Sequence, residues 1–225
     1  MIKALIKRIP VVGPLAVRVK RRVCKPAPFE GSTQYWENRY KAGGNSGAGS
    51  YDKLALFKAE VINAFVKERQ VETVVEFGCG DGNQTSLGCY PSYVGFDISE
   101  KAIAACRQRF QSDPSKQFRD MSECQSEKAQ LALSLDVIYH LVEDEVFRTY
   151  IERLFEAATR FVIIYASNYD LFSPQTPHVR HRHFTSYVEA NFPCWKMTQH
   201  VPNRYPISRF KWGSFADFYI YELQA

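Results

Sequence analysis

The feature that most constrains this chain is an apolar run that ends in three alternating glycines. Residues 74–82 read Val-Val-Glu-Phe-Gly-Cys-Gly-Asp-Gly. β-Branched residues that stop abruptly at glycine predict a buried parallel strand that turns sharply beneath a ligand. Because glycine has no Cβ, Gly78, Gly80 and Gly82 allow positive φ and let backbone amides approach a bound molecule. The sequence therefore predicts a cofactor-binding site at this turn.

The glycine spacing disfavours a nicotinamide or flavin dinucleotide. The dinucleotide fingerprint requires its third glycine at position 83, which is Asn83. Two acids instead bracket the turn: Glu76 precedes the first glycine by two residues, and Asp97 ends a second apolar run at 93–96. A carboxylate at Asp97 can accept both hydroxyls of a ribose, and Glu76 can hold a water network or a ligand ammonium group. The pattern favours another adenosine ligand.

These acids and glycines resemble the class I S-adenosylmethionine-dependent methyltransferases, whose first motif is an acid, a spacer and alternating glycines, and whose second strand ends in a ribose-binding acid. The resemblance extends more loosely over about residues 70–223. It implies S-adenosylmethionine as cofactor and a Rossmann-like α/β fold: a mostly parallel seven-stranded sheet with the last strand antiparallel and helices on both faces. It also implies cofactor contacts from Ile98 and Asp120, although Asp120 could instead cap a local turn.

Aromatic residues and an arginine stand ahead of a Gly/Ser-rich loop before the first strand. The sequence Tyr-Trp-Glu-Asn-Arg-Tyr at 35–40 is followed by a glycine- and serine-rich stretch that ends at Ser50. Such a pattern predicts a lid over residues 29–53. The family resemblance implies that Tyr35, Trp36, Arg39 and the loop 43–50 cover the cofactor. The alternative is a flexible surface loop whose aromatic residues cap the core.

Periodicity predicts the remaining elements. We expect helices over 54–68, from an N-cap at Ser99 to about 110, over 143–157 and over about 185–191, and strands over 117–119, 131–138, 161–165, 195–201 and 215–223.

Chemistry is predicted at the end of the fourth strand, where Asp136, Tyr139 and His140 occur. Ligands of open α/β sheets bind outside the carboxyl ends of the strands, so these residues are expected near the transferred methyl group. A hydroxyl nucleophile needs a base, and imidazole has an unperturbed pKa of ~6.5. His140 is the predicted base, giving a kcat profile with a pKa near 6 to 7, and Tyr139 is a predicted acceptor contact. Donation from His140 to a backbone carbonyl is the structural alternative.

A second polar segment reads His178-Val-Arg-His-Arg-His183. The arginines would repel a cation and no carboxylate cluster accompanies the histidines, so no metal site is predicted. Arginine grips phosphate or carboxylate through two parallel hydrogen bonds. We therefore expect His178, Arg180, His181 and Arg182 to bind an anionic part of the substrate, with a solvated basic surface as the alternative.

The first 25 residues hold eight Lys or Arg and no acid, whereas the other 200 hold 21 basic and 24 acidic residues. Apolar residues between the cations form a broken amphipathic pattern, interrupted by Pro10 and Pro14, that is too short to span a bilayer. Residues 1–28 are predicted to be a basic extension that contacts an anionic membrane surface, or a docked or frayed terminus, and residues 29–225 the methyltransferase domain. Six dispersed cysteines without a Cys-x-x-Cys pair favour a reduced, cytoplasmic protein.

Together these features predict O-methylation of a sugar, glycan or other small anionic acceptor. The Tyr-Trp-Glu segment, Tyr139-His140-Leu141 and the His/Arg segment resemble bacterial methyltransferases of surface-polysaccharide pathways. An RNA methyltransferase and a non-catalytic S-adenosylmethionine-binding protein are the alternatives. The net acidic body and the lack of an Asn-Pro-Pro-Tyr motif make nucleic acid the weaker choice.

Overall fold

A computed structural model describes residues 29–224, and the basic extension at 1–28 therefore lies outside the described residues. The helices in this part are α1 Ser32–Lys41, α2 Asp52–Glu68, α3 Glu100–Arg109, α4 Asp144–Ala157 and α5 Phe184–Asn191. The strands are β1 Thr73–Phe77, β2 Ser92–Asp97, β3 Lys116–Asp120, β4 Ala129–Leu135, β5 Ala158–Ala166, β6 Leu171–Phe172, β7 Arg180–His181, β8 Trp195–Val201 and β9 Asp217–Leu223.

Seven strands form one sheet in the order β3-β2-β1-β4-β5-β9-β8. Strands β1 to β5 pair in parallel, while β9 runs antiparallel between β5 and β8. The predicted fold class is confirmed. The chain runs outward from β1 to β3 and returns to place β4 on the other side of β1. The strand order therefore reverses between β1 and β4, and their carboxyl ends open a crevice suited to a ligand.

The core has two layers, one on each face of the sheet. On β5, Phe161 and Ile163 pack in the layer that includes α2, whereas Val162 and Ile164 pack in the layer that includes α4 and α5. All four side chains are at most 1% exposed. A strand buried on both faces reads as a continuous apolar run, which is why this segment was recognisable in the sequence.

The predicted fourth strand is too long at its carboxyl end. It stops at Leu135 because Asp136 adopts φ 62°, the left-handed region that a strand cannot accommodate. The amide of Asp136 still donates to Tyr165 O at 2.9 Å, and a single 3₁₀ turn over Ile138–His140 follows. The polar residues of this segment are thus presented from a tight turn at the edge of the sheet.

One helix and two short strands were missing from the sequence prediction. Helix α1 forms within the predicted lid, and β6 and β7 pair antiparallel in a small separate ribbon after β5. Within residues 29–224, no helix has both the length and the apolar character needed to cross a membrane.

Candidate active site

A cavity of about 320 Å³ lies at the carboxyl edge of the sheet, where the strand order reverses. Its volume is at the lower end of the range for small-molecule sites. Six predicted site residues line it: Glu76, Gly78, Gly80, Asp97, Ile98 and His140. Two of the three motif glycines, Asp97 and the candidate base therefore share one cavity.

The glycine turn has the conformation that its sequence predicts. Gly78, Gly80 and Gly82 have φ values of 83°, 59° and 72°. A Cβ at Gly78 would lie 2.5 Å from a methyl of Val137, so a larger residue would displace the turn after β4. Gly82 was predicted to face the cofactor, but it does not line the cavity. A Cβ there would lie 2.9 Å from Cys106 Sγ, so Gly82 permits close packing of the turn against α3.

Asp97 is held by the backbone of the glycine turn and of the segment after β2. Its carboxylate oxygens accept hydrogen bonds from the amides of Gly80 and Ser99, both at 2.9 Å. Burial raises the pKa of Asp97 to about 6, against the opposing effect of these backbone donors. Each oxygen retains acceptor capacity toward the cavity. The carboxylate is thus fixed in position and chemically suited to the two ribose hydroxyls of S-adenosylmethionine.

Glu76 lies beneath the same turn and is fully buried. Burial raises its pKa to about 7, while a hydrogen bond from Tyr93 Oη at 2.6 Å and the positive charge of Lys58 oppose the rise. A second carboxyl group that changes charge near neutral pH therefore lines the cavity. A cationic ligand group nearby would favour its ionised form.

One wall of the cavity combines apolar side chains with the charged side chains of Glu145 and Arg153, and most of it was not predicted. It includes Ile98, Met121 and, from α4, Val146, Thr149 and Tyr150. A flat adenine ring suits such a wall. The α4 residues follow the i, i+3, i+4 spacing of one helix face. This spacing could have revealed them, had α4 been assigned to the cavity side.

Asp120 does not line the cavity, in contrast to what the family resemblance implied. Its carboxylate instead accepts a hydrogen bond from Ser122 N at 2.9 Å, while Glu123 completes a capping box over the turn Met121–Glu123. The neighbouring Met121 faces the cavity in its place. The local cap, which was the alternative interpretation, is the arrangement that the structure shows.

The predicted lid lies across the cavity and is attached at both ends. Ser32 Oγ donates to Glu143 at 2.6 Å at the start of α1, and Lys101 Nζ donates to Lys41 O at 3.1 Å at its end. In the following loop, Ser46 N and Tyr51 Oη both donate to Asp81 of the glycine turn, at 3.0 and 2.6 Å. The lid is therefore tied directly to the cofactor motif.

Only some of the predicted lid residues reach the cavity. Trp36 and Tyr40 line it, whereas Tyr35 and Arg39 do not. Tyr35 stacks on His178 with ring centroids 4.3 Å apart, and Arg39 Nε donates to Asn45 O at 2.7 Å. Both pairs have i, i+4 spacing and so define adjacent stripes of α1. Without α1 in the prediction, the inward-facing stripe could not be chosen.

A buried ion pair lies beside the part of the cavity where methyl transfer is expected. Lys58 Nζ, on a side chain with no exposed surface, donates to Asp136 Oδ2 at 2.6 Å. Tyr139 Oη donates to the other oxygen, Oδ1, at 2.7 Å. Asp136 lines the cavity, but Tyr139 packs behind it and does not. The predicted substrate contact from Tyr139 is therefore replaced by a role in positioning Asp136.

His140 lines the cavity with a defined tautomer. Its Nδ1 lies 3.0 Å from the carbonyl oxygen of His178. Because a carbonyl can only accept, Nδ1 carries the proton, and Nε2 is left as an acceptor. In the ligand-free protein, burial lowers the pKa of His140 to about 4, below the ~6.5 of an unperturbed imidazole. The imidazole is neutral at pH 7. His178 contributes its backbone carbonyl, while its ring remains outside the cavity.

Arg180, His181 and Arg182, which were predicted to bind an anionic part of the substrate, lie outside the cavity. Arg182 donates to the carbonyls of Leu141 and Val142 at 2.5 and 2.7 Å, and both arginines pair with the carboxylate of Asp144. His181 Nδ1 shares a 2.7 Å hydrogen bond with Ser167 Oγ. The two arginines hold the segment that follows His140, and they border a second, wider depression on the surface.

Comparisons with known proteins agree with this geometry. Residues 75–163 match the family described as methyltransferase domain. No curated protein matches the sequence. Among solved structures, N-methyltransferase NodS from Bradyrhizobium japonicum WM9 with S-adenosyl-L-homocysteine aligns with TM-score 0.68 and 14% identity, covering 87% of this chain and 100% of that chain. Magnesium protoporphyrin IX methyltransferase from Synechocystis PCC 6803 with S-adenosylmethionine aligns with TM-score 0.61 and 16% identity, covering 86% and 97%.

The fold is a Rossmann-like sheet, and the candidate cofactor cavity lies at its β1–β4 crevice, where open α/β sheets bind their ligands. Residues 75–163 match a methyltransferase domain, and the chain is an S-adenosylmethionine-dependent methyltransferase. Asp97 is suited to the ribose of the cofactor, and the wall around Ile98 and Met121 to its adenine.

Proposed function

We propose that this enzyme methylates a hydroxyl oxygen of a small acceptor, such as a sugar or glycan, with His140 as the general base. The observation that carries the proposal is the tautomer of His140. The His178 carbonyl accepts the Nδ1 proton at 3.0 Å, so a neutral ring offers its Nε2 lone pair at the cavity wall. A neutral imidazole with a free acceptor is the form that a hydroxyl nucleophile requires.

S-Adenosylmethionine supplies an already activated methyl group on a sulfonium, so orientation in a closed pocket accounts for much of the rate. The chain's own contribution is to hold the nucleotide with Asp97, exclude water with α1 and accept the hydroxyl proton at His140 Nε2. The ionised Asp136 nearby favours the protonated imidazole and thereby opposes the effect of burial. A base with a pKa of about 4 is weak, and it acts by removing the proton as the new carbon–oxygen bond forms.

The proposal that the acceptor is anionic depends on the sequence pattern of residues 178–183. Arg180 and Arg182 already donate to backbone carbonyls and Asp144, so an anionic group would have to bind over the second depression, which Arg148 and His183 also border. A small acceptor is favoured over RNA because the 200 residues after the tail hold more acids than bases. The arginines on the border of the second depression support a phosphate or carboxylate on the acceptor, while Asp144 and Asp170 on the same border offset part of their charge.

The experiment uses methyl-labelled S-adenosylmethionine with fractions of cell extract enriched in glycans, nucleotide sugars, small amines or RNA. Wild-type enzyme is compared with His140→Gln in each fraction. We expect labelled methyl ethers in a carbohydrate fraction, with label strongly reduced by the variant. Label found only as methylamine, or only in RNA, would contradict the proposed acceptor. Undiminished ether formation by His140→Gln would support the proposed acceptor but contradict the assignment of His140 as the base.

We also propose that the enzyme is cytoplasmic and that residues 1–25 attach it to anionic membrane. The support is the coincidence of eight cations with apolar residues in one segment. Each cation at such a surface contributes ~1 kcal/mol, screened by salt. The test replaces Arg18, Lys20, Arg21 and Arg22 with glutamine. The control replaces four exposed cations of the folded domain, Lys67, Lys128, Arg160 and Lys196. Equal losses of binding to anionic vesicles in both variants would contradict a specific role for the tail.

A further inference from the structure

The loop between β8 and β9 exposes apolar side chains that the fold does not use. Trp212 is 72% exposed, Ile207 57% and Phe210 37%. Trp212 is the most exposed of the large apolar side chains in the described residues. Clustered apolar side chains at the surface commonly mark an interaction site.

The exposed side chains project from an ordered backbone. The ends of the loop meet where Ser214 N donates to Tyr205 O and Ile207 N donates to Ser214 O, both at 2.9 Å. Within the loop, Phe210 N donates to Pro206 O at 3.0 Å. Such a closed loop is an Ω-like element whose backbone positions its tip. The main-chain bonds would form equally well with polar residues at the tip, so its apolar side chains call for a different explanation.

Cations alternate with the apolar residues of this loop. Arg209 and Lys211 are exposed, and residues 202–214 contain no acid. Lys53 of α2 adds a further charge beside the loop, with Nζ 4.9 Å from the ring centroid of Phe210. Arg204 is excluded from this set because it forms a two-pronged ion pair with Glu60. The tip therefore combines an indole, two other apolar groups and uncompensated positive charge.

The loop stands at the same edge of the sheet as the cavity. Strand β9 begins at Asp217, which pairs with Ala166, the last residue of β5. Between loop and strand, Phe215 packs against Tyr139, with ring centroids 4.8 Å apart, directly behind Asp136. A surface that receives the loop would thus lie beside the acceptor side of the active site.

We propose that loop 202–214 inserts its tip into the interfacial layer of an anionic lipid bilayer. Tryptophan resides preferentially at the boundary between hydrocarbon and water, and adjacent lysine and arginine bind anionic headgroups. A protruding tip fits a deformable lipid surface better than the flat, self-complementary patch needed by a second copy of the chain. This surface belongs to the folded domain and acts in addition to the N-terminal segment. It orients the cavity edge toward the membrane, independently of which group is methylated.

The test uses the full chain with vesicles of equal parts phosphatidylglycerol and phosphatidylcholine, some containing brominated phosphatidylcholine as a depth-dependent quencher. We expect vesicles to quench part of the tryptophan emission. Trp212→Phe should abolish this quenching, whereas Trp195→Phe should retain it. The double variant Ile207→Ser/Trp212→Ser should lower vesicle partitioning about ten-fold. Met197→Ser, at a 43% exposed position on β8, is the matched control and should leave partitioning unchanged.

Two results would overturn the proposal. If the full chain sediments with vesicles but Trp212 emission is not quenched, the N-terminal segment binds lipid without the loop. If the loop variants change the oligomeric state in solution and leave vesicle binding intact, the tip is a contact between copies of the chain. Unchanged S-adenosylhomocysteine affinity in the loop variants serves as the folding control, since no loop residue lines the cavity.

Discussion

The cavity has two ends, which are positioned by different kinds of contact. The nucleotide end is the glycine turn with Asp97, and the acceptor end is the turn that carries Asp136 and His140. At the nucleotide end, Asp97 is fixed by backbone amides from the segments next to it, and the turn depends on glycine conformations. At the acceptor end, His140 and Asp136 are set by distant partners, His178 and Lys58. The position of Asp97 therefore depends on partners at most 17 residues away along the chain. The acceptor end can be altered from 38 or 78 residues away.

The largest effect is expected at the acceptor end. His140→Gln removes the proposed base while retaining a side chain able to donate to the His178 carbonyl, so kcat should fall by ~10² to 10⁴. S-Adenosylmethionine affinity should be nearly unchanged, which separates the two ends of the cavity. Because burial lowers the pKa of His140 to about 4, the wild-type kcat/KM profile should show no inflection from this group between pH 5 and 8. Near-normal turnover in the variant would contradict the base assignment and would mean that catalysis depends on orientation of the substrates alone.

The second prediction concerns the buried ion pair. Lys58→Met leaves the carboxylate of Asp136 without its cation inside the protein and should lower the free energy of unfolding by about 3 to 5 kcal/mol. Arg204→Met is the matched control, because it breaks an ion pair on the exposed side of the same helix and should have little effect. Chemical denaturation of both variants measures the difference. A double variant, Lys58→Met/Asp136→Asn, should recover part of the loss, since it removes the unpaired charge.

The third prediction addresses the nucleotide end alone. Asp97→Ala removes the carboxylate expected to bind the ribose and should weaken S-adenosylmethionine binding by about 2 to 4 kcal/mol, or thirty-fold to several hundred-fold. Calorimetry with S-adenosylhomocysteine measures this loss. Asp120→Ala is the control, because the carboxylate of Asp120 does not itself line the cavity. Equal losses in the two variants, or tighter binding of NAD than of S-adenosylhomocysteine, would contradict the assignment.

The same contrast explains what the sequence could predict. The sheet, most helices and the nucleotide motif depend on short-range patterns, and Glu76, Gly78, Gly80 and Asp97 were found from spacing alone. The partners of the acceptor end are separated by long stretches of chain, so no spacing rule links Lys58 to Asp136. Arg180 and Arg182 were misplaced for a related reason. Their residue types indicate anion binding, but the nearby carbonyls of Leu141 and Val142 already occupy their donors.

The smallest expected effect concerns Glu76 and tests whether its carboxylate interacts with a cationic ligand. Burial raises the pKa of Glu76 to about 7, above the ~4.3 of an unfolded chain. Because the folded state holds this proton more tightly, the stabilisation is fully present below pH ~4.3 and is lost as pH rises through about 7. Unliganded protein should therefore lose stability over this interval through Glu76.

Glu76→Gln keeps an oxygen that can accept from Tyr93 Oη but cannot ionise. It should flatten the pH dependence of the unfolding free energy between about pH 4.5 and 7 and raise stability at pH 8 by about 1 kcal/mol or more, one pKa unit being worth ~1.4 kcal/mol. Denaturant titrations at several pH values measure this slope. Saturating S-adenosylmethionine should reduce the difference between wild type and variant, because the cationic ligand stabilises the ionised carboxylate that only the wild type has. If the ligand leaves that difference unchanged, Glu76 is a structural acid that does not interact with the cofactor.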